Sequence, residues 1–289
     1  VVGGGCRLAV RLVVVRAARM TFVRVGGVPH HVEVTGSGPV CVLSAGLGLG
    51  WFDWDPVVAL LAPHRTVVRF DRPGLGLSGH ARVAPTLRAE AQRILRVLEG
   101  VDLGGERVTV VGHSLAGFHA EAFARLYPEH TEGLVLVDSS VEERPRARLR
   151  LPRGVRVAGT RACGAILCAA GVPRAVGPAL RRRAAPTPWA GLYGAGRVWR
   201  AALMEYATYG DVAVELAGLR RAVPLAGGAP VIVLAADAGG SEKWLGRQRE
   251  LAAGLDGTFR VARPSGHLVM RDLPEAVAGA ILAGARRGR

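Results

Sequence analysis

Six short runs of apolar, largely β-branched residues punctuate the chain: VCVLSA (40–45), TVVRF (66–70), RVTVV (107–111), LVLVD (134–138), VIVLAA (231–236) and TFRVA (258–262). They are nearly continuous rather than alternating, the pattern of strands covered on both faces. Helical patterns separate them. Asp55 and Pro56 supply a cap and a first-turn proline for VVALLA. Leu87, Ala91, Ile94, Leu95 and Leu98 mark one helical face that ends at Gly100, LAGFHAEAFARLYP stops at Pro128, and PEAVAGAILAGA lies near the C-terminus. Strand and helix in alternation predict an α/β fold with a mostly parallel central sheet and helices on both faces. The alternation breaks between about 140 and 224, where Pro and Arg are frequent. An inserted helical lid is expected there, with RACGAILCAAGV and RVWRAALMEYATYG as its helices. The core is then expected over 20–139 and 225–289. Met20 opens a more usual protein beginning, so residues 1–19 are expected to be a disordered or upstream extension. LAVRLVVVRAA is short and broken by Arg11 and Arg16, poor for a membrane span or a signal core.

At 289 residues and 49% hydrophobic content, the chain can bury the core of one large domain with an insertion. Its formal charge of +15 is unevenly placed. Residues 1–19 carry four arginines and 144–183 carry eleven, neither with an acid, which accounts for the whole excess. A charge-balanced remainder argues against a nucleic-acid-binding fold, which interleaves basic residues with aromatics or aligns them on a recognition helix. The segment 144–183 reads either as a solvated face in an arginine-rich chain or as an attractor for an anionic ligand or a membrane headgroup surface. Cys6, Cys41, Cys163 and Cys168 form no Cys-x-x-Cys pair, so buried free thiols in a reducing cytoplasm are expected.

The candidate chemistry begins at VTVVGHSLAG (108–117), where a buried strand ends in a turn with Ser114 between small residues. A serine hydroxyl attacks only when a base takes its proton and donors await the developing oxyanion. A tight strand-to-helix turn exposes the hydroxyl and aims a helix N-terminus at the negative charge. GHSLAG resembles the nucleophile elbow of the α/β-hydrolase superfamily, with Ala116 where the commonest pattern has Gly. Over about 21–285 other segments fall where that resemblance requires them. SAGLG resembles the oxyanion loop, which implies the backbone N–H groups of Leu47 and Leu115 as donors. FDRPGLGLSG resembles a structural turn of the family and implies that Asp71 is a loop anchor. ARPSGHLVMRDLPEAV places His267 in the turn expected of the base. For the acid the family offers two places: the end of the LVLVD strand, which gives Asp138, and the turn after VIVLAA, near which Asp237 stands about two positions early. Asp138 is preferred, with Asp237 as the alternative. His113 is expected to point away from the serine and His119 to pack on its helix, while His30, His31, His64, His80 and His130 read as loop histidines.

The resemblance implies a hydrolase of carboxylic esters acting through an acyl-enzyme, with no cofactor and no metal; the apolar residues of the insertion add the expectation of a small-molecule substrate with an apolar acyl group. Acyl transfer and thioester, lactone or carbon–carbon cleavage use the same machinery. Ile166, Leu167, Trp189, Leu192, Trp199, Leu203, Met204, Tyr206 and Tyr209 either roof an acyl pocket or pack the lid onto the body. A dinucleotide reading of SAGLGLG fails at the third required glycine, which is Trp51. A non-catalytic relative that binds a small apolar ligand has no need of Ser114 and His267.

Overall fold

The computed structural model describes residues 18–80, 83–142, 151–183, 187–240 and 242–286. A hairpin opens it: β1 (Arg19–Val25) and β2 (Val28–Gly36) pair antiparallel across Gly26 and Gly27, both at positive φ. A two-residue glycine turn supplies the conformation and twist a tight hairpin needs. There follow β3 (Val40–Ser44), α1 (Asp55–Leu61), β4 (Thr66–Phe70), α2 (Leu87–Glu99), β5 (Val108–His113), α3 (Ala116–Leu126) and β6 (Thr131–Val137). Next come α4 (Arg153–Ala169), α5 (Val172–Arg183) and α6 (Gly196–Ala222), then β7 (Val231–Ala236), α7 (Glu242–Gly254), β8 (Thr258–Ala262), α8 (Val269–Asp272) and α9 (Pro274–Arg286). The eight strands form one sheet in the order β1-β2-β4-β3-β5-β6-β7-β8, with the β1–β2 and β2–β4 pairings antiparallel and the rest parallel.

The six apolar runs of the sequence are β3 to β8. Cores form on both sheet faces, one built from Leu98, Phe118, Phe123 and Leu216 of α2, α3 and α6, the other from Leu61, Val277 and Ile281 of α1 and α9. Thr86 caps α2 by accepting the Ala89 N–H, and Gly100 ends that helix.

The hairpin holds a correction. His30 and His31 stand in β2, not in a loop, and both are fully buried. The His30 ring joins the Asp71 carbonyl oxygen at 3.1 Å to Arg93 at 2.8 Å, and the His31 ring meets the Asp71 carboxylate at 3.0 Å. Asp71 also accepts the N–H groups of Trp51 and Leu77, so it anchors loops.

Among the described residues three α-helices lie between β6 and β7, with α5 added to the two candidates. α5 was hidden because prolines and arginines mask its period, and Pro178 lies inside it. α6 runs past its expected end to Ala222, and its second half buries Val212, Ala213 and Leu216 against the core. Ile166 is 67% exposed and Tyr206 is 52% exposed, while Trp189 packs on Trp51 and Tyr209 on Phe118. Part of the basic segment is neutralised internally. Arg156 donates to Asp211 at 2.5 Å, and Arg153 lies 3.4 Å from Glu215, tying α4 to α6. Arg144, Arg146, Arg148 and Arg150, like Cys6 and residues 1–17 of the expected extension, lie outside the described residues. Cys41 is buried, its thiol pushed up to about 12 by burial, but Cys163 is exposed and Cys168 half-buried, against the expectation for them. Among the described residues no single helix is long and apolar enough to cross a membrane.

Burial holds three imidazoles neutral, His30 lowered to about 4 and His113 and His119 each to about 3. In the unfolded chain each binds a proton near pH 6.5, so the folded state loses stability as pH falls from there toward 4. Each histidine contributes about 1.4 kcal/mol per pH unit in that window. Urea unfolding across pH 7 to 4 is expected to show a steep fall in stability, and conversion of His30 and His119 to Gln should flatten it.

Candidate active site

Ser114 sits where β5 turns into α3, with a φ of 52° that L-residues rarely adopt. Its neighbours make the turn possible. A side chain at Gly112 would meet the Ala116 backbone, and one at Gly117 would meet Ser139. The backbone is held by the Ser114 N–H donating to the Val137 carbonyl at 3.1 Å and by the Ser114 carbonyl accepting from Gly117 and Ser140 at 2.9 and 3.1 Å.

His267 comes from the loop between β8 and α8. Its Nε2 is 3.0 Å from the Ser114 Oγ, and its Nδ1 is 2.5 Å from the Asp138 Oδ2. A carboxylate only accepts, so Nδ1 carries the proton and Nε2 offers a lone pair to the serine hydroxyl. The imidazole is 54% exposed, open to an incoming molecule, whereas the Asp138 side chain is 4% exposed. Asp138 directly follows β6 at a φ of 41°, a second rare conformation beside the first. Its other oxygen accepts the Ala236 N–H at 2.9 Å and the Trp244 indole N–H at 2.7 Å. Both carboxylate oxygens are therefore occupied, which fixes the rotamer that faces the imidazole.

Asp237 is elsewhere in its hydrogen bonding. It accepts the Gly239 N–H at 2.8 Å and pairs with Arg263, and these contacts, the Gly239 N–H first, hold its carboxyl below the usual carboxylate range. The structure thus brings together Ser114, His267 and Asp138 and leaves the alternative acid as a brace between the β7 and β8 loops.

Leu47 lies in the loop after β3, and Leu115 stands at the N-terminus of α3. Among the described residues neither backbone N–H donates to a protein acceptor. The loop approaches the serine closely: a Cβ on Gly46 would lie 3.2 Å from the Ser114 Cβ.

Two contributors were not legible in the sequence. Trp244, the indole on Asp138, comes from a helix beyond the insertion, and no local pattern marks it. His113 packs beside the cluster: its Nε2 is 2.8 Å from the His267 carbonyl oxygen, and its ring lies 4.7 Å from the His267 ring. Kept neutral by burial, it donates that N–H and steadies the backbone that carries His267. Its place beside Ser114 was the available signal. A cavity of about 300 Å³ lies under the insertion between α2 and α6, walled in part by Glu90, Arg93, Met204 and Glu205, and its walls hold none of the three clustered residues. Among the described residues no group of three or more His, Cys, Asp or Glu could hold a metal ion.

A family model described as alpha/beta hydrolase family matches residues 41–280. An uncharacterized protein of Mycobacterium tuberculosis is 36% identical over 120 residues, which cover 42% of this chain and 35% of that one. A pimeloyl-(acyl-carrier protein) methyl ester esterase of Klebsiella pneumoniae is 37% identical over 99 residues, 34% of this chain and 36% of its own. The matches span about a third of the length of these curated relatives. Among solved structures, Cfl2 from Burkholderia cenocepacia is similar with a TM-score of 0.72 at 25% identity, covering 92% of this chain and 95% of its own.

Asp138→Asn is expected to lower turnover about 10³- to 10⁴-fold with the fold retained, because the amide no longer stabilises the imidazolium or its tautomer. Asp237→Asn is expected to cost thermal stability and leave turnover within about threefold, since that side chain only braces loops. Steady-state rates and melting curves of both variants check this, and equal losses of turnover would remove the distinction.

Proposed function

The chain belongs to the alpha/beta hydrolase family, and we propose that within it the protein is a serine hydrolase of carboxylic esters that acts through an acyl-enzyme. The observation that carries this reading is the continuous hydrogen-bonded chain from the Ser114 Oγ through His267 to Asp138. As Ser114 attacks the ester carbonyl, its proton passes to the His267 Nε2, and Asp138 stabilises the imidazolium. The N–H groups of Leu47 and Leu115 receive the negative charge that moves onto the carbonyl oxygen. The imidazolium then gives its proton to the departing alkoxide, which leaves as the alcohol. In the second half, His267 takes a proton from water, the hydroxide attacks the acyl carbonyl, and Ser114 recovers its proton as the acid leaves.

A serine in the elbow favours acyl chemistry over epoxide or haloalkane opening, because those reactions pass through an ester formed on a carboxylate nucleophile, and position 114 has none. The Klebsiella relative, named as a methyl ester esterase, supports the ester as the bond. The substrate is proposed to be a small molecule with an apolar acyl group. The non-catalytic reading is less economical, since two strained residues and a buried carboxylate serve the serine and the imidazole.

A fluorophosphonate is expected to label the wild type and not Ser114→Ala, and among p-nitrophenyl esters of graded chain length kcat/KM should fall by about 10⁴-fold or more in that variant. Labelling at equal rates in both proteins, or ester turnover indifferent to Ser114, would overturn the reading.

A further inference from the structure

We infer that Arg72 and Glu205 aim the Leu47 N–H, so that the helical insertion itself positions one of the two oxyanion donors. This rests on the serine hydrolase reading above. It follows from where the peptide units on either side of Leu47 are held. The Gly46 carbonyl and the Leu47 N–H belong to one planar trans unit, in which C=O and N–H point in opposite directions. Arg72 Nη2 donates to the Gly46 carbonyl at 2.7 Å, and Arg72 Nη1 donates to the Ala45 carbonyl. Two successive carbonyls are thereby turned toward the guanidinium, which turns the Leu47 N–H away from it. On the other side of Leu47, the Gly48 N–H donates to the Glu205 Oε2 at 2.9 Å. The pair closes on itself, with Arg72 Nε donating to the Glu205 Oε1 at 2.6 Å and Nη2 to Oε2 at 3.1 Å. Both units that flank the Leu47 side chain are therefore held by one ion pair, half of it from α6, and the Gly46 carbonyl accepts the Leu49 N–H at 3.1 Å besides.

The seating of α6 agrees. Gly48 has a φ of 71°, and a Cβ there would lie 3.1 Å from the Ala202 Cβ, so any larger residue at that position is strained and crowds the helix. The Arg72 and Glu205 side chains are 3% and 9% exposed. A buried ion pair is weak as a source of stability, because desolvation offsets most of the attraction. What it supplies here is direction: a planar fork with two carbonyls on one side and a carboxylate on the other leaves the loop no freedom to rotate. Arg72 and Glu205 do not touch the reacting atoms and are positioning residues.

Glu205→Gln retains the shape but lacks the charge that holds Arg72. Its kcat on a p-nitrophenyl ester is expected to fall about 10- to 100-fold, short of the full loss of an oxyanion donor, with KM changed less than about threefold and the pH profile of kcat unaltered. Fluorophosphonate titration counts the folded sites, and the rate of labelling per titrated site should fall by a similar factor. Affinity for an alkyl trifluoromethyl ketone, whose serine adduct carries an oxyanion, should fall in parallel. Arg72→Lys, which keeps the charge but not the fork, is expected to behave alike. Tyr193→Phe serves as the control, because it removes a different contact between the insertion and the body, the Tyr193 hydroxyl to Asp53, and should leave the per-site rate unchanged. A per-site labelling rate and ketone affinity within about twofold of wild type in both positioning variants would overturn the inference while leaving the hydrolase reading intact. A wild type that does not react at Ser114 would overturn both.

Discussion

Parallel strands share one direction, so the ends at which their chains emerge line up along a single edge of the sheet, and every residue of the site depends on that alignment. Leu47 follows β3, Ser114 follows β5, Asp138 follows β6 and His267 follows β8. Residues separated by much of the chain therefore meet without any loop having to search for them. Hydrogen bonding between the strands supplies the rigidity: β3 lies beside β5, and β5 beside β6, so the Leu47 loop, the serine and the carboxylate are spaced by the pitch of the sheet. Only His267 arrives by a longer route, and its backbone receives a dedicated hydrogen bond from His113. This is the arrangement expected of ligand sites in open α/β sheets.

Local order at that edge is bought against intrinsic preference. Ser114 and Asp138 both take left-handed backbone conformations, and each has a side chain aimed at His267. Such residues persist only where their surroundings over-determine them. Here the surroundings are specific. Gly112 and Gly117 leave room for the elbow, and the Trp244 indole and the Ala236 N–H fill the second oxygen of Asp138. The buried core on both sheet faces offsets the strain, so rigidity at the site and hydrophobic packing away from it are parts of one design.

What the sequence revealed follows the same division between local and non-local information. β3 to β8 were legible because burial on both faces leaves an unbroken apolar run. The serine turn was legible because steric demands on its neighbours restrict them to small residues. β1 and β2 were not, since the edge hairpin alternates, with Phe22 exposed and Val23 buried, and two histidines stand within its second strand. The burial of those histidines depends on Asp71 and Arg93, which only the fold brings to them. The choice between Asp138 and Asp237 was left open because both follow strands that are neighbours, and position along the chain does not say which carboxylate an imidazole will reach. The partnership of Arg72 with Glu205, 133 positions apart, has no local signature at all.

The insertion leaves the core after β6, beside Asp138, and re-enters at the start of β7, on the opposite edge of the parallel sheet. The Asp138 carboxylate accepts from Ala236, the last residue of the returning strand, and from Trp244 in the helix beyond it. At the opposite end of the site, Glu205 of α6 holds Gly48. The acid is thus held by the core beyond the insertion, whereas the loop after β3 is held by the longest helix of the insertion. A rigid shift of the insertion would therefore strain the Gly48 attachment and leave the hydrogen bonds to Asp138 in place. Sequence change within the insertion therefore has two separable consequences. Exposed positions such as Ile166 are free to vary with the surroundings of the protein. Positions on the face of α6 that includes Ala202 and Glu205 are constrained by the Gly48 turn that they pack against and hold.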